Sequence, residues 1–258
     1  MKIINDKGYS ELNYAWIVHI SGNHGDPVPG DFSATEISNP YKAIILFRKH
    51  YNEITVNASE IIYPTIGTAL HESRHNPLVL APNTITERKG LDRLKWVDAE
   101  NTGFTLSGQP DTFDLIKREL GDLKSTVMWT LEKKREDTFK EWSRQLSIYR
   151  FLMLQNGFDD VSMKAIVTVF IRDFIAWKKV ANCPSQIFEI EIDLEDEVTI
   201  GNYIKERLYG LQNAMNANKL PDCTDEEKWL NAKGENKKCM QYCSARQFCD
   251  FALKLKGE

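Results

Sequence analysis

Residues 103–126 constrain the fold most, because they predict consecutive β-strands. Apolar and polar side chains alternate on both sides of the turn residues Gly108-Gln109-Pro110-Asp111, with apolar positions at Phe104, Leu106, Phe113 and Leu115. Alternation on either side of turn residues predicts a β-hairpin. A further strand is predicted to carry Leu120, Asp122 and Lys124. The centre of the chain is therefore expected to form a three-stranded unit.

The segments on either side of this unit predict helices. Residues 61–75 indicate a helix after Pro64, and residues 126–155 indicate helical structure that ends at Asn156-Gly157. Residues 195–218 predict an amphipathic helix whose apolar stripe consists of Ile200, Ile204, Leu208, Leu211 and Met215.

Two more strands are predicted, at residues 162–173 and 186–193. The second has an acidic face, which is typical of a strand at or near a sheet edge. Strands that alternate with helices in this way predict an α/β fold, a central mixed β-sheet flanked by α-helices. We expect a single domain over residues 1–258, with a small cysteine-containing extension from about residue 220.

The N-terminal segment gives weaker patterns. Residues 1–31 predict irregular structure or short strands, because Gly22, Gly25, Pro27, Pro29 and Gly30 interrupt any regular pattern. Ser33-Ala34-Thr35-Glu36 has the form of a capping box and predicts a helix start. Pro40 limits that helix to a short first segment.

Charge and hydropathy exclude some classes of protein. The chain has 33 basic and 37 acidic residues among 258, a formal net charge of −4, so any binding to nucleic acid requires a local basic surface. One candidate is the stretch 84–98, which carries Arg88, Lys89, Arg93 and Lys95, although an ordinary solvated face explains it equally. No apolar run approaches the ~20 residues of a membrane span. The N-terminus lacks the apolar region of a secretory signal, so a cytoplasmic location is expected.

Asp122 and Lys124 are the residues with the clearest chemical potential. Successive strand residues point to opposite faces, so these two share a face and Leu123 turns away. A surface ion pair is one explanation. The other is a phosphodiesterase centre, in which Asp111, Asp122 and the backbone carbonyl of Leu123 bind Mg²⁺ or Mn²⁺ and Lys124 orients or deprotonates a water molecule.

Gln145 and Tyr149 lie four residues apart in the predicted helix and therefore on one face. Both side chains can reach a phosphate or a catalytic lysine. An ordinary half-buried helix face explains them equally well on this evidence alone.

Five short motifs, in this order, resemble those of the PD-(D/E)xK nuclease superfamily. They are Ser33-Ala34-Thr35-Glu36, His71 four residues after Gly67, Gly108-Gln109-Pro110-Asp111, Asp122-Leu123-Lys124, and Gln145 with Tyr149. The resemblance is to the RecB-like branch, which includes phage-type exonucleases and CRISPR-associated RecB-like nucleases. It spans residues 33–149, and the C-terminal cysteines extend it to residue 249.

The resemblance implies a restriction-endonuclease-like core. It also implies that Asp111 and Asp122 bind the metal, that Lys124 is the catalytic lysine, and that His71 is a further ligand or active-site residue. Two helix residues are implied to contact DNA or to position the lysine, Gln145 and Tyr149. The family cleaves DNA to leave a 5′-phosphate and a 3′-hydroxyl.

The chain departs from the RecB-like pattern near the motif histidine. Many members have a glutamate four residues after it, but here that position is His75, and Glu72 follows His71 directly. The sequence therefore does not identify the third protein ligand of the metal.

The C-terminal cysteines form a second candidate site, composed of Cys223, Cys239, Cys243 and Cys249. Several RecB-like nucleases hold a 4Fe–4S cluster on one cysteine near the opening motif and three near the C-terminus. Here Asn39 precedes Pro40 at the opening position, so Cys223 is the candidate fourth thiolate. Four thiolates suit an iron–sulfur cluster or tetrahedral zinc. The alternative is reduced thiols in a small subdomain, and Cys183 is expected to be structural.

These observations lead to the hypothesis of a divalent-metal-dependent DNA exonuclease, active in phage or prophage recombination or in DNA-end processing. Its partners would be DNA and a single-strand annealing or recombination protein. The sequence does not determine the oligomeric state. The tail supplies a candidate DNA-facing surface, with Lys233, Lys237, Lys238, Arg246, Lys254 and Lys256. The alternative is a catalytically inactive DNA-binding or assembly protein on the same fold. A third reading, an incidental Asp-x-Lys, predicts no pocket that joins residues 71, 111, 122 and 124.

Overall fold

The computed structural model describes residues 1–21, 26–74, 81, 83–86, 90–177, 185–231 and 233–256. Its strands are β1 (Lys2–Ile4), β2 (Asp31–Ser33), β3 (Thr55–Asn57), β4 (Thr84–Thr86), β5 (Leu94–Val97), β6 (Thr105–Gly108), β7 (Thr112–Asp114), β8 (Glu119–Thr126), β9 (Lys164–Ile171) and β10 (Ile187–Asp193). Its α-helices are α1 (Glu11–Ser21), α2 (Tyr41–Lys49), α3 (Ile62–Arg74), α4 (Met128–Lys133), α5 (Arg135–Gln155), α6 (Phe174–Trp177), α7 (Glu197–Asn216) and α8 (Asp250–Lys256).

The chain divides into two compact units. The terminal unit comprises Met1–Thr65, Asp98–Thr105 and Lys205–Glu258, and the central unit comprises Ile66–Val97 and Leu106–Ile204. His71, both aspartates, Lys124, Gln145 and Tyr149 therefore belong to the central unit, and the four C-terminal cysteines belong to the terminal unit.

The main sheet of the central unit has the strand order β10-β9-β8-β7-β4. Strands β4, β7 and β8 are antiparallel neighbours, whereas β9 runs parallel to β8. A parallel pair needs a long crossover, and α4 and α5 supply it. A helix, three antiparallel strands, a crossover helix and a parallel strand form a restriction-endonuclease-like core, so the predicted α/β fold class is confirmed.

Burial explains why these segments adopt their conformations. In β9, Ala165, Val167, Val169 and Ile171 are fully buried and alternate with half-buried residues, as expected for a strand with one face on the core. The long helix α5 buries an apolar set that includes Leu146, Ile148, Leu152 and Met153. It ends at Gln155 and is followed by Gly157 with φ +83°, which confirms the predicted helix end. Strand β10 lies at a sheet edge, also as predicted.

The hairpin predicted across residues 108–111 is wrong. Strand β6 pairs with β5 in a separate sheet, whereas β7 pairs with β8 and β4 in the main sheet. The turn residues thus carry the chain from one sheet to another, and the hairpin is the next pair along, with Phe113 opposite Leu120. Alternation identifies strands but not their partners, which explains the error.

Two predictions in the terminal unit also need correction. Residues 11–21 form helix α1, where irregular structure or short strands were expected, and this helix buries Ile17 and Ile20. The helix predicted to start at Ser33 is absent, because residues 34–38 form turns and α2 begins only at Tyr41. The reciprocal bonds of the capping box nevertheless form: the Glu36 amide donates to Ser33 Oγ at 3.1 Å, and the Ser33 amide donates to Glu36 Oε2 at 3.4 Å.

The stripe predicted on α7 is correct except at its end. Ile200, Ile204, Leu208 and Leu211 are buried, but Met215 is 51% exposed and Ala214 is buried in its place. No helix in the described ranges is both long and apolar enough to cross a membrane. His75, Arg88, Lys89 and Cys183, which the sequence singled out, lie outside the described residues.

Candidate active site

The register of β7 and β8 brings the two aspartates together. Thr112 is opposite Gly121, so the next position of an antiparallel ladder places Asp111 opposite Asp122. Asp111 precedes the first residue of β7, and its Oδ2 accepts a hydrogen bond from the Leu123 amide at 2.8 Å. A side chain thus replaces the strand partner of this amide, and the bond fixes the Asp111 carboxylate at the end of the ladder.

Asp122 and Lys124 share a face of β8, as the two-residue period requires. Lys124 Nζ lies 3.0 Å from Asp122 Oδ2, and the Asp122 side chain is only 2% exposed. This approach is an ion pair without hydrogen-bond geometry, and Oδ2 has no hydrogen-bond partner among the described residues. A buried carboxylate oxygen in that condition is a place where a cation is stabilised.

Helix α5 holds the lysine from the other side. Lys124 Nζ donates to Gln145 Oε1 at 2.9 Å, and Gln145 Nε2 donates to the Tyr149 hydroxyl at 3.1 Å. Gln145 therefore contacts the lysine directly, and Tyr149 acts on it through Gln145. The four-residue spacing on one helix face makes this relay possible.

Gly108 allows α5 to approach the turn before Asp111. A Cβ at this position would lie 2.8 Å from Leu152 Cδ1 and 2.9 Å from Tyr149 Cε1. Only glycine fits so close a contact without displacing the Tyr149 ring. Burial raises the pKa of Tyr149 above its usual range, so the hydroxyl stays protonated.

His71 on α3 completes the group. Its Nδ1 lies 3.1 Å from Asp111 Oδ2. Burial lowers the pKa of His71, but the hydrogen bond to Asp111 and the charges of Asp111 and Asp122 outweigh burial and raise it overall. The interaction with Asp111 therefore holds the His71 ring in place.

The two carboxylates experience different environments. Burial raises the pKa of Asp111, but the hydrogen bond and charge of His71 and the Leu123 amide bring it below its usual value. Burial also raises the pKa of Asp122, and there the nearby Asp111 charge adds to that effect, so the pKa stays raised although Lys124 opposes it. Negative charge at Asp122 thus needs more compensation than Lys124 supplies.

Asp111 and Asp122 supply carboxylate oxygens, the ligand type that Mg²⁺ and Mn²⁺ prefer. Among the described residues, no three His, Cys, Asp or Glu side chains form a group that could hold a metal ion. Structural zinc sites need such a group, whereas Mg²⁺ is held by one or two carboxylates and keeps several waters.

Two contacts near the site were not foreseen from the sequence. Gln109 Nε2 donates to the Leu91 carbonyl at 2.8 Å, and the Arg93 guanidinium donates to Ser107 Oγ from Nε at 3.2 Å and from Nη2 at 2.9 Å. Both tie residues 91–93 to the strand and turn that precede Asp111. Arg93 stood out in the sequence only as one cation of a basic stretch, because no spacing rule links it to Ser107.

The four candidate cysteines of the terminal unit are half-buried free thiols. Burial raises the pKa of Cys223 to about 11, with further contributions from Glu227 and the other three cysteines, so the four thiols are close enough to influence one another. They do not form a metal-holding group in the described part of the chain. Binding of a cluster or a zinc ion by these four cysteines stays a prediction.

Lys42 links two of these cysteine segments. Its Nζ lies 2.9 Å from Asp222 Oδ1 and 2.8 Å from Asp250 Oδ1, and its side chain is 8% exposed. Asp222 precedes Cys223 and Asp250 follows Cys249. One buried ammonium thus holds both segments.

Comparison with protein families finds no match, and comparison with curated proteins finds none either. Comparison with solved structures finds SSO0001, at 17% identity and a TM-score of 0.57, over 93% of this chain and 97% of that one. At this identity the match shows a shared fold.

Two exonuclease structures match at lower TM-scores. The crystal structure of LHK-Exo in complex with dAMP has 14% identity and a TM-score of 0.43, over 79% of this chain and 93% of that one. LHK-Exo comes from Laribacter hongkongensis. A phage-related exonuclease from Haemophilus somnus 129PT has 18% identity and a TM-score of 0.35, over 58% of this chain and 69% of that one. These scores do not by themselves establish a shared fold.

Proposed function

We propose that this chain, which has a restriction-endonuclease-like fold, is a divalent-metal-dependent DNA exonuclease that hydrolyses phosphodiester bonds. The main support is that five side chains lie close together: His71, Asp111, Asp122, Lys124 and Gln145. The hydrogen bonds and ion pairs that link them, one of them through the Leu123 amide, have lengths of 2.8–3.1 Å. These residues span positions 71 to 145 of the sequence and lie on two helices, a turn and a strand. An incidental Asp-x-Lys pair would not gather them, so the assembly supports a catalytic centre.

The residues divide into metal-binding and positioning roles. Asp111, Asp122 and the Leu123 carbonyl would hold Mg²⁺ or Mn²⁺. His71 contacts Asp111 and would keep its carboxylate in position. When bound, the ion supplies Lewis-acid chemistry, lowering the pKa of bound water and neutralising charge on the phosphate.

Lys124 has its ammonium beside Asp122 and is held there by Gln145. From that position it would orient the attacking water and stabilise negative charge on the phosphate. Tyr149, protonated and buried, fixes the Gln145 amide, so that the amide oxygen faces the lysine. The hydrogen bonds of Gln145 to Lys124 and Tyr149 thus orient the Lys124 ammonium group.

Whether hydrolysis requires a free DNA end is tested with three substrates: end-labelled linear duplex, linear single strand and covalently closed circular duplex. We expect release of short products from linear DNA with Mg²⁺ or Mn²⁺, none in EDTA, and no cleavage of closed circles. Cutting of closed circles would replace the exonuclease proposal with an endonuclease. Absence of metal-dependent hydrolysis on all three would favour the inactive DNA-binding alternative.

The role of Lys124 is tested with Lys124→Ala. Removal of a proton-transfer or orienting group costs about 10²–10⁴-fold in rate. A matched control is Lys164→Ala, which removes an exposed cation paired with Glu191 at the start of β9. Full activity of Lys124→Ala, with folding verified by circular dichroism, would contradict the mechanism.

A further inference from the structure

Arg93 is an exposed cation with an anchored guanidinium. Its Nε and Nη2 both donate to Ser107 Oγ, at 3.2 and 2.9 Å, and Ser107 is only 1% exposed. The residue as a whole is exposed. One edge of the planar fork is therefore fixed against the protein, and the side chain loses less conformational freedom when it binds a ligand than an unanchored arginine would.

The anchor lies beside the candidate active site. Ser107 precedes Gly108, where an added Cβ would lie 2.9 Å from Tyr149 Cε1. Tyr149 connects through Gln145 to Lys124. The charge of Arg93 lowers the pKa of Tyr149, whereas the charges of Asp122 and Asp111 raise it. Arg93 thus places a positive charge on the Tyr149 side of a site that carries two carboxylates.

We propose that Arg93 is a substrate-binding residue, which contacts a phosphate of the DNA strand near the scissile bond. This inference rests on the proposed nuclease function. A guanidinium binds phosphate through paired N–H groups, and Ser107 holds the plane of Arg93 in one orientation. In a chain with a net charge of −4, attraction of DNA depends on such local cations.

A structural explanation competes with this one: Arg93 could serve only to satisfy the buried Ser107 hydroxyl. The two explanations differ in what happens when the charge is removed but a donor is kept. Arg93→Gln retains an amide that can donate to Ser107, so it spares the structural role and removes the phosphate contact. Ser107→Ala removes the anchor and leaves the charge.

The experiment measures KM and kcat with Mg²⁺, and the Kd of a fluorescein-labelled duplex with a single-stranded overhang in EDTA, from 50 to 300 mM salt. For Arg93→Gln we expect KM and Kd to rise about tenfold with little change in kcat. The slope of log Kd against log salt should fall by about 1, since one phosphate contact is lost. Arg93→Lys should keep the wild-type slope, and Lys164→Ala should keep both the Kd and the slope.

Ser107→Ala should raise KM less than Arg93→Gln and leave the salt slope unchanged. Wild-type KM, Kd and salt slope in Arg93→Gln would overturn the inference and leave the nuclease proposal standing. Failure of the wild-type protein to bind or cleave DNA would overturn the nuclease proposal and this inference with it. A fall in kcat at unchanged Kd would also overturn the inference, because the residue would then act on the chemical step.

Discussion

Two groups of chemically reactive side chains in this protein are held in opposite ways. In the central unit, three contacts of the candidate active site join different elements: His71 with Asp111, Asp111 with the Leu123 amide, and Lys124 with Gln145. In the terminal unit, the four cysteines are half-buried free thiols and form no metal-holding group in the described ranges.

The difference follows from the chemistry of the side chains. Carboxylates, amines, amides and imidazoles bond to one another, so the polypeptide alone can assemble them to within a few tenths of an ångström of their working positions. Thiols are weak donors and weak acceptors, and four of them gain little from meeting unless a metal binds. The carboxylate–lysine site is thus preorganised by bonds among its own side chains, whereas the cysteine segments are held by neighbouring residues, among them Lys42 with Asp222 and Asp250 and Arg246 with Glu60.

Among the changes that test this comparison, the largest effect is expected from Asp122→Asn, which should leave the fold intact and lower the hydrolysis rate. Loss of one group that stabilises developing charge costs about 10²–10³-fold. The change removes the charge that faces Lys124 and the buried oxygen available to a cation. Initial rates over a range of Mn²⁺ concentrations measure it.

Asp193→Asn is the matched control for that change, because Asp193 is exposed at the end of β10 in the same sheet. It should retain the wild-type rate. Equal rates for Asp122→Asn and the wild-type protein would remove the distinction between a preorganised catalytic site and a surface ion pair.

The next effect is expected at Gly108. Gly108→Ala places a methyl group within 3.0 Å of Leu152 and Tyr149, and overpacking of this kind costs about 1–3 kcal/mol of folding free energy. Displacement of Tyr149 should also lower the rate, because Tyr149 holds Gln145 and Gln145 holds Lys124. Urea unfolding and initial rates measure the two effects.

Gly67→Ala is the control for Gly108→Ala, because a Cβ at position 67 of α3 meets nothing within 4 Å. Replacing glycine by alanine in a helix interior is worth about 0.5–1 kcal/mol, so this variant should be slightly stabilised and fully active. A stable and fully active Gly108→Ala would show that the close approach of α5 does not position the lysine.

The comparison also shows what the sequence could predict. Asp122 and Lys124 were placed on one face by the two-residue strand period alone, and Gln145 and Tyr149 by the four-residue helix spacing. Both are local geometric rules, so they needed no knowledge of the fold. The order of the motifs then led to the restriction-endonuclease-like core through a resemblance, rather than through any physical derivation.

Pairing between elements was not predictable in the same way. Residues 104–107 and 112–115 alternate like the two arms of a hairpin, yet they pair in different sheets. Helix α1 was missed because its apolar residues surround the helix and leave Trp16 44% exposed, so no clear stripe indicates it. The bond from Arg93 to Ser107 joins positions that only the pairing of β5 and β6 brings together.

A smaller effect, confined to the cysteine segments, is expected from Lys42→Met. The buried ammonium pairs with two aspartates whose side chains are 64% and 67% exposed. Because both aspartates stay hydrated when the lysine is lost, we expect a Tm lower by roughly 2–4 °C, as for a modest interaction in a chain of this size.

Limited proteolysis should locate the loosening from Lys42→Met at residues 220–256, and the nuclease rate should remain at the wild-type value. Lys42→Arg, which keeps the charge, is the control. Protection of the tail equal to that of the wild-type protein would mean that Lys42 does not hold the cysteine segments.

The smallest effect is expected from Cys239→Ser. Cys239 is only half-buried and its thiol belongs to no ligand group in the described structure, so we expect changes within about 0.5 kcal/mol in stability and about twofold in rate. Iron and zinc contents of anaerobically purified wild-type and variant protein decide the interpretation. If the wild-type chain carries metal that the variant lacks, the thiols close around it on loading. The two regions would then differ in what assembles them, protein bonds in one and the metal itself in the other.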